Sequence, residues 1–164
     1  MPVSTRIELV GVKDAVKQLN KIDPELRKQF NRDAKQIAEP VLSKARADYP
    51  ELPLSGMSRK WTDKQGRAIF PWNAGKARRG LRVKIDTSRK STNVIYLQQT
   101  DRGGAVFEAA GRRGDSPLAR LLGPLRAHST RVLGPALDAR QGTVEQGFER
   151  LARDTMRRVN EKVR

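Results

Sequence analysis

The chain predicts an α+β fold: a small antiparallel sheet of three to four strands, packed against a long N-terminal helix and a C-terminal helix, with long loops. Three observations predict it. From Arg79 to Asp86, apolar Leu81, Val83 and Ile85 alternate with charged Arg82, Lys84 and Asp86, the two-residue period of a half-buried strand. Leu26, Phe30, Ala34, Ile37, Val41 and Ala45 recur at the spacing of one helix face. Val144, Phe148, Leu151, Thr155, Val159 and Val163 form a second such stripe near the C-terminus. A chain of 164 residues suits about one domain, with extended loops expected at about 51–78 and 112–131.

Arg6-Ile7-Glu8-Leu9-Val10-Gly11 alternates and ends on glycine, as a short strand does. Val12, Ala15, Val16 and Leu19 then follow a helical spacing. Asp23-Pro24 is a helix start, with aspartate as cap and proline at the first helical position. The long helix should run from about Pro24 to Ala47. Pro40 lies inside it and should kink or divide it, because it lacks a backbone donor. Tyr49-Pro50 ends it, since the residue before proline avoids the helical region.

From Glu51 to Arg78 the sequence has no period, and Pro50, Pro53, Gly56, Gly66, Pro71 and Gly75 punctuate it. It holds both tryptophans, Trp61 and Trp72. Either these aromatics meet a partner, or Trp61, Phe70 and Trp72 fold back on the core. After the Arg79–Asp86 strand, apolar runs at Val94–Leu97 and Ala105–Phe107 complete a three-stranded meander, with turn residues between them. Gly111 to Pro117 should be flexible, Leu118–Leu122 a helical turn or two, and Ala127–Arg131 a polar excursion. The last helix should start near Gly134 or Pro135 and carry Arg150, Arg153, Arg157, Arg158 and Lys162 on its outer face, towards the end where the helix dipole favours cations.

With 37% hydrophobic and 32% charged residues, the chain supports a modest core and a large polar surface. The net charge of +16 implies attraction to polyanions: nucleic acid, an anionic membrane face or acidic protein. Between Glu51 and Gly103 lie 12 basic against 4 acidic residues, half of the whole excess. A solvated face is the plain reading of such charge; interleaved with Trp and Phe, it also suits a nucleic-acid backbone or an acidic neighbour.

Without cysteine the chain has no disulfides, zinc–thiolate sites or thiol catalysis. The first residues lack the apolar core of a signal peptide, and no apolar run approaches the roughly 20 residues of a membrane span. His128 is the only histidine and sits in a polar loop beside Ser129; a small nuclease would have to be built on it without a recognisable triad. No metal-ligand or P-loop spacing occurs. Arg102-Gly103-Gly104 and Gly111-Arg112-Arg113-Gly114 are weak phosphate-turn signals. Glu108 is expected as an outward-facing strand residue or in a local salt bridge with one of the many arginines. No helix-turn-helix or zinc-finger spacing occurs either. The sequence thus gives no catalytic residue, metal or cofactor, and the chain is expected not to be an enzyme.

Four short motifs occur in a fixed order. They are Leu9-Val10-Gly11-Val12-Lys13, a long helix closing on Tyr49-Pro50 before Ser55-Gly56, Val106-Phe107-Glu108-Ala109-Ala110-Gly111, and Gly134-Pro135-Ala136-Leu137 before the last helix. This order resembles the neck, or tail-component, family of long-tailed bacteriophages, the gene-product-ten-like head-tail connector and tail-completion proteins. The spacing from Glu108 to Gly111 is one residue longer than the family's common form, and the insertion from Arg112 to Arg131 is long.

The resemblance implies a structural virion protein at the head-to-tail junction, assembled in the host cytoplasm. There it would form a sixfold ring around the DNA channel, between connector or stopper proteins and tail-terminator or tail-tube proteins, with no membrane. Capping the tail tube, as a tail terminator does, is the neighbouring role. A free-standing basic nucleic-acid-binding protein is the alternative from another class. Candidate subunit or channel contacts are Trp61, Trp72, Arg78, Arg79, Arg82, Lys84, Glu108, Arg112 and Arg113. Their charges would face either DNA in the lumen or acidic partner proteins.

Overall fold

A computed structural model describes residues 3–9, 24–86, 93–112, 114, 116–125 and 129–163. The fold is α+β. In chain order the elements are β1 (Val3–Leu9), α1 (Pro24–Asp48), a 3-10 turn (Ser55–Ser58), β2 (Trp61–Thr62), β3 (Ala68–Phe70), α2 (Ala74–Arg79), β4 (Leu81–Asp86) and β5 (Asn93–Gln99). Then come α3 (Arg102–Ala109), α4 (Pro117–Leu122), α5 (Leu133–Asp138) and α6 (Gln141–Val163). One antiparallel sheet has the order β1-β5-β4, and β2 and β3 pair as a separate antiparallel hairpin.

The contacts form two compact units. The first comprises residues 1–5, 41–82 and 97–139; the second comprises 6–40, 83–96 and 140–164. Four of the five divisions fall inside continuous elements, including α1 at Pro40. Pro40 does not end the helix, which continues to Asp48. The helical turn expected over 12–19 and the cap at Asp23 lie outside the described residues.

In the second unit, Phe30, Ala34 and Ala38 of α1 are buried, as are Ile95 of β5 and Val144, Phe148, Leu151 and Thr155 of α6. Both expected stripes therefore face a core, because burial of one apolar face is what stabilises a helix of this polarity. Gly147 lets the two helices approach: a Cβ there would lie 2.8 Å from Ile37 Cγ2. Arg150, Arg153 and Arg157 stay exposed, and Arg157 pairs loosely with Asp154 and Glu161. The side chain of Lys162 lies outside the described residues.

Three sequence expectations are corrected. Residues 102–109 are a helix, not the third strand of a meander; the sheet takes β1 as its third strand instead. Asp101 decides this locally, since its carboxylate accepts the Gly104 amide at 2.8 Å and caps the helix. The three-residue run Ala105–Phe107 is too short for its period to tell strand from helix. Residues 51–78 are not a structureless loop but hold a 3-10 turn, a hairpin and α2. The last helix begins at Gln141, after the separate α5.

Among the described residues, no helix is long and apolar enough to cross a membrane. The two glycines of α6 should behave differently on substitution. A Cβ at Gly142 meets nothing within 4 Å, so Gly142→Ala should raise stability by up to about 1 kcal/mol through helix propensity. Gly147→Ala should give less, or a loss, because Ile37 must move. Denaturant melts of both variants check the order.

Candidate functional site

The polar groups that the fold brings together lie inside the first unit. Tyr49, at the end of α1, is 1% exposed; Gln99, the last residue of β5, and Glu108, in the last turn of α3, are 0% exposed. The Tyr49 hydroxyl donates to Glu108 Oε1 at 2.5 Å and accepts from Gln99 Nε2 at 3.0 Å. The same Nε2 donates to the Ala77 carbonyl at 2.8 Å, and the Asp101 amide donates to Gln99 Oε1 at 2.8 Å. Glu108 Oε2 accepts the amides of Val132 at 2.9 Å and Leu133 at 3.4 Å.

The local sequence explains each position. Val132, the cap residue of α5, offers no side-chain cap. The first amides of a helix need acceptors, and Glu108 supplies them from α3. Thr130 Oγ1 takes the Gly134 amide at 2.7 Å. Gln99 runs between two glycines: a Cβ at Gly80 would lie 2.0 Å from its Oε1, and one at Gly104 would lie 2.6 Å from its Nε2. Gly103 and Gly104 thus serve close packing in the first turn of α3. The Asp101 carboxylate occupies the Gly104 amide, so Arg102-Gly103-Gly104 is not an open phosphate turn.

Tyr49 stacks on Trp72 with centroids 6.2 Å apart and planes 10° from parallel, while Phe107 lies 5.9 Å from Tyr49 and 5.4 Å from Trp72. Arg131 covers Phe107, its guanidinium carbon 5.9 Å from the ring centroid. Its Nη1 donates to the Leu122 carbonyl at 2.8 Å, and its Nη2 to those of Ala110 at 2.6 Å and Gly123 at 2.7 Å. Gly111, with φ of 92°, makes room for this: a Cβ would lie 2.6 Å from the Gly123 carbonyl oxygen. The segment after Gly111, expected to be flexible, is fastened at both ends, and Ser116 caps α4 within it.

Burial pushes the Glu108 carboxyl above its usual value; the hydrogen bonds from Tyr49, Val132 and Leu133 oppose this without reversing it. Burial, with the nearby Glu108 charge, also holds the Tyr49 hydroxyl protonated. Burial pulls the Arg131 guanidinium below its ordinary value, and the Glu108 charge opposes that. Both Glu108 oxygens, the Tyr49 hydroxyl and both ends of the Gln99 amide have partners within the fold. This arrangement is a structural joint whose carboxylate, hydroxyl and amide are satisfied internally; beside it, Trp72 Nε1 and Arg131 Nε are buried with no hydrogen-bond partner among the described residues.

The candidate contact residues divide sharply. Glu108 is corrected: it is fully buried in the last turn of α3, with no surface to offer a neighbour. Trp72 is 9% exposed and belongs to the aromatic cluster, so it too folds back on the core. Arg78 donates to the Tyr49 carbonyl at 2.8 Å and pairs with Glu51 at 2.7 Å. Arg112 is exposed, with a hydrogen bond to the Ser129 carbonyl at 2.8 Å. Arg79, Arg82 and Lys84 are exposed, and Leu81 is buried beside them. Trp61 is 45% exposed and packs edge-on against Phe70 at 4.9 Å. Arg113 and His128 lie outside the described residues.

In the second unit a cleft of about 40 Å³ lies among Phe30, Asp33, Leu151, Asp154 and Arg158, crossed by a 2.7 Å hydrogen bond from Arg158 to Gln29. Small-molecule sites are typically about 300 Å³ or more. No group of three or more metal-ligating side chains occurs among the described residues.

Sequence reasoning missed the joint. Tyr49 is legible as a helix end only, and Gln99 carries no motif. One signal was present: Glu108 is the sole charge in Ala105–Gly111, and a lone carboxylate in an apolar run often has a buried partner. Comparison with protein-family models, curated proteins and solved structures finds no match.

Glu108→Ala should destabilise the protein by roughly 3–5 kcal/mol, since it strands the Tyr49 hydroxyl and two helix amides; equilibrium denaturation checks this. Glu108→Gln should cost less and change the pH dependence. A carboxyl whose folded value is raised binds its proton more tightly in the folded state. It therefore stabilises the fold fully below about pH 4.3, the unfolded value. That contribution is lost as pH rises through the folded value. The stability difference between the natural protein and Glu108→Gln should shrink or reverse along that rise, in denaturant midpoints measured across the range.

Proposed function

We propose that the chain is a structural subunit of the head-to-tail junction of a long-tailed bacteriophage, a ring protein of the neck or the tail terminator. One observation carries the reading. Three of the motifs on which the resemblance rests, separated by tens of residues, meet at one joint. Tyr49, before Pro50, bonds to Glu108, and Glu108 bonds to the amides just before Gly134-Pro135-Ala136. Gly111, which closes the Glu108 motif, is needed where the Arg131 guanidinium lies. Motifs that are weak one by one thus meet in a single constellation, and the reading is supported by their meeting.

The surface fits a ring subunit. A closed ring built from head-to-tail contacts needs two different faces on each copy. β4 stands at an end of its sheet and presents Arg82 and Lys84 to solvent. Arg112, exposed after α3, stands elsewhere in the chain. In this reading the copies make a sixfold ring, connector or stopper proteins lie above it, tail-terminator or tail-tube proteins lie below it, and genomic DNA passes through the lumen.

The test is the particle made by the genome that encodes this chain. Mass spectrometry of purified virions should find the chain, and deletion of its gene should leave filled heads and unjoined tails. Normal joined particles without the protein would overturn the reading. Its presence on isolated tails, or only on complete particles, separates terminator from neck.

Changing Arg82 and Lys84 together to Glu should leave the monomer folded, because both side chains are exposed. The same variant should fail to restore infectious particles to a deletion strain. Full restoration would remove β4 from the assembly surface.

A further inference from the structure

The hairpin of β2 and β3 has features that neither the buried joint nor ring closure requires. An isolated two-stranded hairpin is marginal in water, yet this one is tied down. Asp63 Oδ1 accepts the amides of Gln65 at 3.0 Å and Arg67 at 2.9 Å, closing the tip. Asp63 Oδ2 takes Arg67 Nε at 2.9 Å and Arg102 Nη1 from α3 at 3.0 Å. Desolvation opposes ionisation of Asp63, and the hydrogen bonds from Arg67 and Gln65 outweigh it and hold the carboxyl below its usual value. At the base, Phe70 is 1% exposed, and the Trp72 amide donates to the Met57 carbonyl at 2.7 Å.

What this fixed arm displays is one indole among cations. Trp61 is nearly half exposed, and Arg59, Lys60 and Lys64 are exposed around it in sequence. Among the described residues no carboxylate pairs with these three cations, and the arm's one acid, Asp63, already holds two arginines. The exposed Arg82 and Lys84 that β4 of a second copy would bring repel these three cations, so the arm calls for an acidic occupant. The core of a protein–protein interface is depleted of charge, lysine included, whereas here lysines flank the one large apolar group that this arm displays. Cations that track a phosphate backbone, around an aromatic on which an unpaired base can stack, are the pattern of single-stranded nucleic-acid binding.

We propose that the Arg59–Phe70 hairpin is a binding arm for single-stranded nucleic acid, with Trp61 as the stacking platform and Arg59, Lys60 and Lys64 as the phosphate contacts. The proposal does not rest on the ring reading, and its test does not measure assembly. Intrinsic fluorescence reads it directly, because the other tryptophan, Trp72, is buried.

The probe is a labelled oligothymidylate of about 16 nucleotides. It should quench the indole emission, and its affinity, read by anisotropy, should exceed that for a duplex of equal length. Trp61→Ala should weaken binding about tenfold. That variant also loses the Phe70 contact, so Arg59→Gln/Lys60→Gln, which leaves the packing intact, provides a second arm. It should lower the slope of log affinity against log salt by about 1.4, the share of two single-strand phosphate contacts. Unchanged affinity and slope in this double variant would overturn the proposal. So would duplex binding as tight as single-strand binding with Trp61→Ala silent, which indicates diffuse electrostatics. Equal quenching by polyglutamate would overturn it in favour of an acidic protein partner.

Discussion

The first unit depends on one carboxylate with three donors. Glu108 has two oxygens and no proton to give when ionised, so it can only accept. It receives the Tyr49 hydroxyl from the end of α1 and two amides from the start of α5. Three elements far apart in sequence are thereby set against one group. Breaking a buried charged hydrogen-bond network strands every donor at once, which is costly in a low-dielectric interior. An apolar contact would hold the same elements with less demand on angle and register. The polar joint trades some stability for a defined arrangement, and the glycines at 80 and 104 give the Gln99 amide the only space in which it completes the network.

The aromatic cluster and the cation above it extend the same logic. Tyr49 contributes a ring to the Trp72–Phe107 stack and a hydroxyl to Glu108. Arg131 is then held by carbonyls below and by the Phe107 face beside it. Its charge stays within reach of the buried Glu108, so the half-buried guanidinium offsets part of the cost of holding that carboxylate out of water. The exposed cations on β4 and on the β2–β3 hairpin lie outside this arrangement, and none is needed to complete it.

Much of the fold was legible in the sequence. The α1 and α6 stripes are periodic over long windows, and Phe30, Ala34, Val41, Ala45, Val144, Phe148 and Leu151 within them are buried, while β4 alternates over six residues with Leu81 buried and Arg82 and Lys84 exposed. The bounds of α1 are close because proline sits at its first position and tyrosine-proline follows its end. What was illegible was decided by contacts at a distance. Ala105–Phe107 reads equally as strand or helix, and the Asp101 cap, which settles it, is an ordinary turn residue in sequence. Residues 51–78 have no period because their elements are two to six residues long, shorter than any window that detects one. The joint was hard to read because a tyrosine, a glutamine and a glutamate tens of residues apart share no spacing, and the lone charge of Glu108 in an apolar run was its one signal. The Trp72 side of the aromatic question resolves towards the core, and the Trp61 side towards solvent.

The fastening of residues 110 to 131 has a consequence for how such a chain can change. Arg131 clasps the carbonyls of Ala110, Leu122 and Gly123, and Arg112 reaches the carbonyl of Ser129. The ends of the segment are therefore fixed whatever lies between them. Lengthening a loop whose ends are already held costs little, because closure entropy grows only with the logarithm of length. Gly114, exposed and with open space where a side chain would stand, lies inside the clasp. An epitope or a whole foreign module grafted there would hang from the protein like a charm from a closed bracelet, and the fold behind the clasp would not register its size.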